Sequence, residues 1–140
     1  MFGKLAKFLR MAGYDTAYVK HNERDKLVKL GVAEQRVIIT KDPKIKTPDT
    51  RVYFLSENMP EEQIKKVTTE FNLDYKNAFT LCVNCNKPLI KVEKEKAKDK
   101  IPAKVYASLD EFYTCKNCGR VFWHGTHYVA MREKLKRLMG

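Results

Sequence analysis

An α/β fold followed by a four-cysteine ribbon and a C-terminal helix is predicted by three observations. Strand-like and helix-like patterns alternate through residue 71; Cys82-Val83-Asn84-Cys85 and Cys115-Lys116-Asn117-Cys118 are separated by 29 residues; and apolar side chains recur at helical spacing after Thr126. Residues 1–80 are expected to form the α/β domain and residues 81–140 the ribbon with its helix.

Gly3 to Met11 reads as an amphipathic helix, with Leu5, Phe8, Leu9 and Ala12 on one face, Lys4, Lys7 and Arg10 on the other, and Gly13 as its stop. The basic face is either a phosphate contact or a solvated surface. Thr16 to Val19 is a short β-prone run, and Asn22 is placed to cap a helix from Glu23 to Leu30 that ends at Gly31. Arg36-Val37-Ile38-Ile39-Thr40 has the continuous apolar character of a buried strand, and Arg51 to Leu55 repeats it. Asn58 and Pro60 open a helix through Phe71 with Ile64, Val67 and Phe71 inward. This alternation argues for a parallel sheet.

Residues 91–100 are expected as a solvated loop or hairpin arm, too charged for a core. Ile101 to Tyr106 leads back to the second cysteine pair. Val121-Phe122-Trp123 is strand-like, and Thr126 is placed to cap a last helix with Tyr128, Met131, Leu135 and Leu138 on one face.

Two Cys-x-x-Cys pairs present four thiolates suited to one tetrahedral zinc ion, so Cys82, Cys85, Cys115 and Cys118 are the candidate ligands. Turn formers follow each pair, in Asn86-Lys87-Pro88 and Gly119-Arg120. Disulfides are the alternative, but the chain is Lys-rich, its start is too polar for a secretory leader, and no cysteine lies outside the two pairs. A redox Cys-x-x-Cys usually occurs singly. With four cysteine ligands the metal shell is closed, which makes the zinc structural.

No apolar run approaches the roughly 18 residues of a membrane span, so a soluble, cytoplasmic protein without a membrane partner is expected. The formal charge is +11 with a pI near 9.5. Residues 1–80 carry 15 basic and 11 acidic side chains, whereas residues 81–140 carry 13 and 6. A polyanion such as nucleic acid is the partner class such a balance favours, with Lys4, Lys7, Arg10, Lys41, Arg120 and Arg132 as candidate contacts. Phe122 and Trp123 suit either base stacking or core filling under the ribbon. His124 and His127 suit packing or capping better than metal ligation.

Functional groups in parallel α/β sheets collect at the carboxyl ends of strands, which directs attention to acidic residues there. Asp42 directly follows the Arg36–Lys41 run and precedes Pro43, and Asp25 lies in the first turn of the following helix pattern after Tyr18-Val19. Asp15, in Gly13-Tyr14-Asp15-Thr16, is a weaker third. Converging carboxylates would hold Mg²⁺ or Mn²⁺ for phosphodiester hydrolysis; the alternatives are a helix-favouring Asp25 and a turn-making Asp42.

Gly3-Lys4-Leu5-Ala6-Lys7-Phe8-Leu9-Arg10-Met11-Ala12-Gly13-Tyr14-Asp15-Thr16, Arg36 to Asp42, Cys82-x-x-Cys85-Asn86 and Cys115-x-x-Cys118-Gly119-Arg120-Val121-Phe122-Trp123-His124-Gly125-Thr126-His127 together resemble a known family. It is the RNase domain found at the C-terminus of the worm mutator-seven exonuclease. The resemblance implies a PIN-like α/β nuclease fold, a fused zinc ribbon, RNA as substrate, and hydrolysis by Mg²⁺ or Mn²⁺ with Asp25 and Asp42 among the metal-site carboxylates. Lys41 stands where the family motif has Arg. The resemblance also implies an apolar first strand ending in Asp before the Gly-Lys-Leu helix, a position that precedes Met1. The sheet is therefore expected without that strand and the metal site without that Asp. Two functions follow as expectations: a metal-dependent ribonuclease, or a non-catalytic zinc-ribbon protein that binds ribosomal or other structured RNA.

Overall fold

The computed structural model describes residues 2–20 and 23–140. Asn22, the expected cap of the second helix, lies outside the described residues. The first helix, α1 (Gly3–Met11), buries Leu5, Ala6, Phe8 and Leu9 on the face that the sequence spacing predicts. It ends where Gly13 adopts φ of 100°, a conformation open to glycine without steric cost. A Cβ at Gly13 would fall 2.2 Å from the Asn77 carbonyl oxygen.

Thr16 to Val19 does not form the expected strand. Side chains occupy its backbone instead: the Thr16 N–H donates to Asn86 Oδ1 at 2.9 Å, and the Thr16 carbonyl accepts from Arg10 Nε at 2.8 Å. The second helix, α2 (Arg24–Ala33), runs through Gly31 instead of stopping there. Gln35, with φ of 51°, makes the turn. Gly31 serves close packing, since a Cβ there would lie 2.6 Å from Ile38 Cγ1.

Strands β1 (Ile38–Thr40) and β2 (Val52–Phe54) pair in parallel, with Ile38 opposite Val52 and Thr40 opposite Phe54. This is the parallel sheet that the alternation predicts, two-stranded among the described residues. Helix α3 (Pro60–Glu70) opens on Pro60, whose missing N–H costs nothing in a first turn. Asn58 does not cap it; its side chain accepts from Lys41 Nζ at 2.5 Å. Ile64 and Val67 are buried, and half-buried Phe71 packs edge-on against Tyr53 at 5.4 Å.

In the second half, β3 (Ile90–Val92) leads into α4 (Lys94–Ala97), a 3-10 turn at 98–100 and α5 (Ala103–Ser108). The solvated arm expected over 91–100 is therefore folded. Ala97 and Ile101 are buried with Phe112, while Lys94 and Lys98 lie 4.6 and 5.8 Å from the centre of the Tyr106 ring. The charges stay at the surface, and their stems cover an aromatic ring. Strands β4 (Phe112–Thr114) and β5 (Val121–Phe122) complete a three-stranded antiparallel sheet, β3-β4-β5.

The last helix, α6 (Thr126–Met139), has Gly125 at its cap position, so Thr126 is its first residue and not its cap. Leu135 and Leu138 leave the ribbon's core to join Leu5, Phe8, Leu9, Leu55, Ile64 and Val67 in the larger cluster. Arg137 and Glu61 pair at 2.6 Å where α6 lies on α3. Among the described residues no helix is long and apolar enough to cross a membrane.

Candidate functional site

The two cysteine pairs sit on matched turns. Cys82 N donates to Lys87 O and Asn86 N to Cys82 O, each at 2.8 Å; Cys115 N donates to Arg120 O at 3.1 Å and Gly119 N to Cys115 O at 2.7 Å. The residue four places after each first cysteine has positive φ, 58° at Asn86 and 74° at Gly119. Both residue types tolerate that conformation. The same backbone geometry on both turns directs the two pairs of thiols toward a common point.

All four cysteines are free, and their sulfurs lie within 4.8 Å of one another. A tetrahedral ion with Zn–S bonds near 2.3 Å requires sulfur separations of about 3.8 Å. Cys82 Sγ and Cys118 Sγ are 3.8 Å apart. The donor set therefore fits a closed tetrathiolate zinc site. Burial pushes the Cys82 thiol up to about 11, whereas the Cys118 and Asn117 N–H groups bring Cys115 down to about 7. Asn117 Nδ2 also donates to Cys85 Sγ at 3.2 Å. These donors favour the thiolate form that a metal requires.

The first turn is fastened to the α/β half by a polar network. Arg10 Nη1 donates to the Val83 carbonyl at 2.9 Å, while its Nε holds Thr16. Asn86 accepts from the Thr16 N–H and donates through Nδ2 to Asp15 Oδ1 at 2.6 Å. Arg36 pairs with Asp15 at 3.0 Å. Bonds to Asn86, then Arg36, hold the Asp15 carboxyl below the ordinary aspartate range. Arg10 and Asp15 thus join the ribbon to α1 and to Arg36 ahead of β1, and sequence reasoning placed neither in that role. Asn86, Thr16 and Arg36 escaped it too; the one available signal was Asn86 beside a cysteine, where a turn residue also offers a side-chain amide.

A groove of about 580 Å³ lies beside β1, walled by α1, the 14–20 segment, α2 and β1. Leu5, Leu9, Ile38 and Val67 give it an apolar floor, and Asp15, Glu23, Arg24, Lys41 and Asp42 are among its polar lining. Asp42 stands just beyond the carboxyl end of β1, where the sequence places it. Its Oδ1 accepts from the Lys44 N–H at 2.9 Å, and its Oδ2 pairs with Arg24 at 2.5 Å. Asp25 is exposed in the first turn of α2 and is not part of the groove lining.

Among the described residues, the four cysteines are the one group of three or more potential ligand side chains close enough to share an ion. Asp15, Asp25 and Asp42 are not brought together.

The candidate phosphate contacts are dispersed. Lys4 and Lys7 are exposed on α1, Arg120 follows the second cysteine turn, and Arg132 is exposed on α6 with Nη1 3.5 Å from the Tyr128 hydroxyl. Lys41 is half-buried at the groove, 5.9 Å from the centre of the Phe2 ring. No curated protein and no solved structure matches the chain. The family model described as the Mut7-C RNAse domain matches residues 1–135, and the chain, with its small parallel sheet and four-cysteine cluster, belongs to that family.

Proposed function

We propose that this protein acts in the cytoplasm by binding RNA, including structured RNA such as that of the ribosome, with a structural zinc ion holding the ribbon that carries most of its excess charge. Membership of an RNase-type family is the observation that carries this reading. The formal charge of +11 and the exposed Lys4, Lys7, Arg120 and Arg132 support it. Zinc supplies cross-linking of the two turns when bound. Cys82, Cys85, Cys115 and Cys118 would hold it, and Arg10, beside Cys82 and Cys85, offsets part of the negative charge of the tetrathiolate.

A second reading, metal-dependent hydrolysis of the RNA, is favoured by Asp42 beyond the end of β1 in a groove also lined by Lys41. Arg24 competes with that role, since its guanidinium already engages the Asp42 carboxylate in an ion pair. One experiment separates the two: labelled single-stranded and structured RNA incubated with the chain and with Asp42→Asn, in Mg²⁺ or Mn²⁺, with binding and cleavage read in the same samples. Binding that falls steeply with salt, without cleavage, is the expected result. Metal-dependent cleavage lost in Asp42→Asn would establish the nuclease, and absence of RNA binding at low salt would refute both readings.

A further inference from the structure

The antiparallel ladder of the ribbon sheet sets Lys91 opposite Tyr113 and Tyr113 opposite Phe122. Residues opposite one another share a face, so these three side chains form one row across β3, β4 and β5. The neighbouring register, Val92 opposite Phe112, supplies the other face, and Phe112 is fully buried there. Trp123 packs against that buried cluster and answers to core filling. Among the described residues, Tyr113 and Phe122 belong to neither of the two apolar clusters.

The outer row continues beyond the sheet. The His124 ring stacks on Tyr113, with centroids 5.4 Å apart and planes 24° from parallel, and on Tyr128 at 4.0 Å and 14°. Phe79 closes the far end, tilted against Tyr128 at 4.5 Å. His124 is exposed, and Tyr113, Phe122 and Tyr128 are half-buried. Lys91, Lys116, Arg120 and Arg132, all exposed, lie on the same elements or the turns that join them.

We propose that this outer face of the ribbon, running from Lys91 over Tyr113 and His124 toward Tyr128, is a platform on which bases of single-stranded RNA stack. The inference rests on the RNA-binding reading and locates part of the surface that performs it. His124 lies between Tyr113 and Tyr128, so it presents its edge and holds Tyr113 in place, while Tyr113 and Phe122 are the rings on which a base would stack and flanking Lys and Arg meet the phosphates between bases. A duplex hides its base faces, so the platform selects unpaired RNA. The concentration of basic excess in residues 81–140 is the charge complement of that partner.

The test measures, by fluorescence anisotropy, binding of a short single-stranded RNA, of the same sequence as a duplex, and of an abasic strand of equal length. The proteins are the zinc-loaded full chain, Tyr113→Leu, His124→Ala and Tyr113→Phe. Zinc content and the urea midpoint confirm that each is folded. His124→Ala, at an exposed site, keeps the test open should Tyr113→Leu disturb the sheet. Tyr113→Phe discards the hydroxyl that donates to Glu111 at 3.3 Å but keeps the ring.

The expected result is an affinity for single-stranded RNA weakened on the order of tenfold in Tyr113→Leu and His124→Ala, with abasic binding unchanged and Tyr113→Phe like the parent. If the parent binds single-stranded RNA and these variants bind it equally well, the platform is refuted while the RNA-binding reading stands. Equal affinity of the parent for the abasic strand overturns it in the same way. A parent chain that binds no RNA refutes both.

Discussion

Replacing Arg10 by Ala tests whether the ribbon and the α/β half are one coupled structure. Arg10 donates to the Thr16 carbonyl at 2.8 Å and to the Val83 carbonyl at 2.9 Å, so one guanidinium spans the 14–20 segment and the first cysteine turn. A hydrogen bond from a charged donor contributes about 1.5–3 kcal/mol net. Arg10 is only half-buried, and its burial lowers its pKa, which shows that holding the charge there carries a cost. Two such bonds, discounted for solvent and for that cost, give an expected loss of about 1–3 kcal/mol. That is a sizeable fraction of the roughly 5–15 kcal/mol that holds a typical domain together.

Urea denaturation of the zinc-loaded chain measures the loss, and transfer of zinc to a chromophoric chelator measures the grip on the first turn. Arg10→Ala should lower the urea midpoint and speed zinc release. Arg10→Lys keeps the charge but cannot span both carbonyls in one planar fork, so it should recover only part of the loss. Lys4→Ala and Lys7→Ala, at exposed sites on the same helix, should leave both readouts unchanged and weaken RNA binding instead. An Arg10→Ala protein with an unchanged midpoint, unchanged zinc release and weaker RNA binding would refute the reasoning and return Arg10 to the role of a phosphate contact.

Chelation of zinc, or Cys118→Ser, should abolish amide protection across β3, β4 and β5, as hydrogen exchange will show; protection retained after verified metal removal would refute a structural metal. Leu135→Ala, at a fully buried position, should cost about 2–5 kcal/mol in urea denaturation, because α6 completes the core of the first half. Gly31→Ala should destabilise by about 1–2 kcal/mol, since crowding of Ile38 outweighs the roughly 1 kcal/mol gained in helix propensity; a more stable variant would show that α2 does not pack tightly on β1. Asp15, with its pKa lowered, stabilises the fold fully above the ordinary aspartate value of about 3.9 and loses that effect as pH falls through its lower folded value. Asp15→Asn should flatten that acid limb of stability in a pH series.

The parts of the fold legible in the sequence are those set by local pattern. Spacing of Leu5, Phe8 and Leu9 located α1, continuous apolar character located β1 and β2, and the two cysteine pairs located the metal cluster. Thr16 to Val19 failed for a tertiary reason. Its β-prone residues had the right composition, but the side chains of Arg10 and Asn86, the latter 70 positions from Thr16, took the backbone groups that a ladder needs. Gly31 failed similarly, because a glycine that ends a helix and one that admits a neighbouring Ile38 look alike in one dimension.

Charge is where one-dimensional reading was least able to assign roles. Lys4, Lys7 and Arg10 lie on one polar face of α1, and composition treats them as equivalent. In three dimensions Lys4 and Lys7 remain at the surface while Arg10 binds the carbonyls of Thr16, Val83 and, at 3.5 Å, Asn84, and faces Cys82 and Cys85. Asp42 repeats the lesson with opposite sign, its carboxylate being engaged by Arg24, the residue immediately before Asp25. A titration that shows Asp42 freed from Arg24 when RNA or a divalent cation is added would indicate an exchangeable partner. If the pair persists in bound RNA, Asp42 is a structural anchor between α2 and β1, and any cleavage centre must be built from other groups.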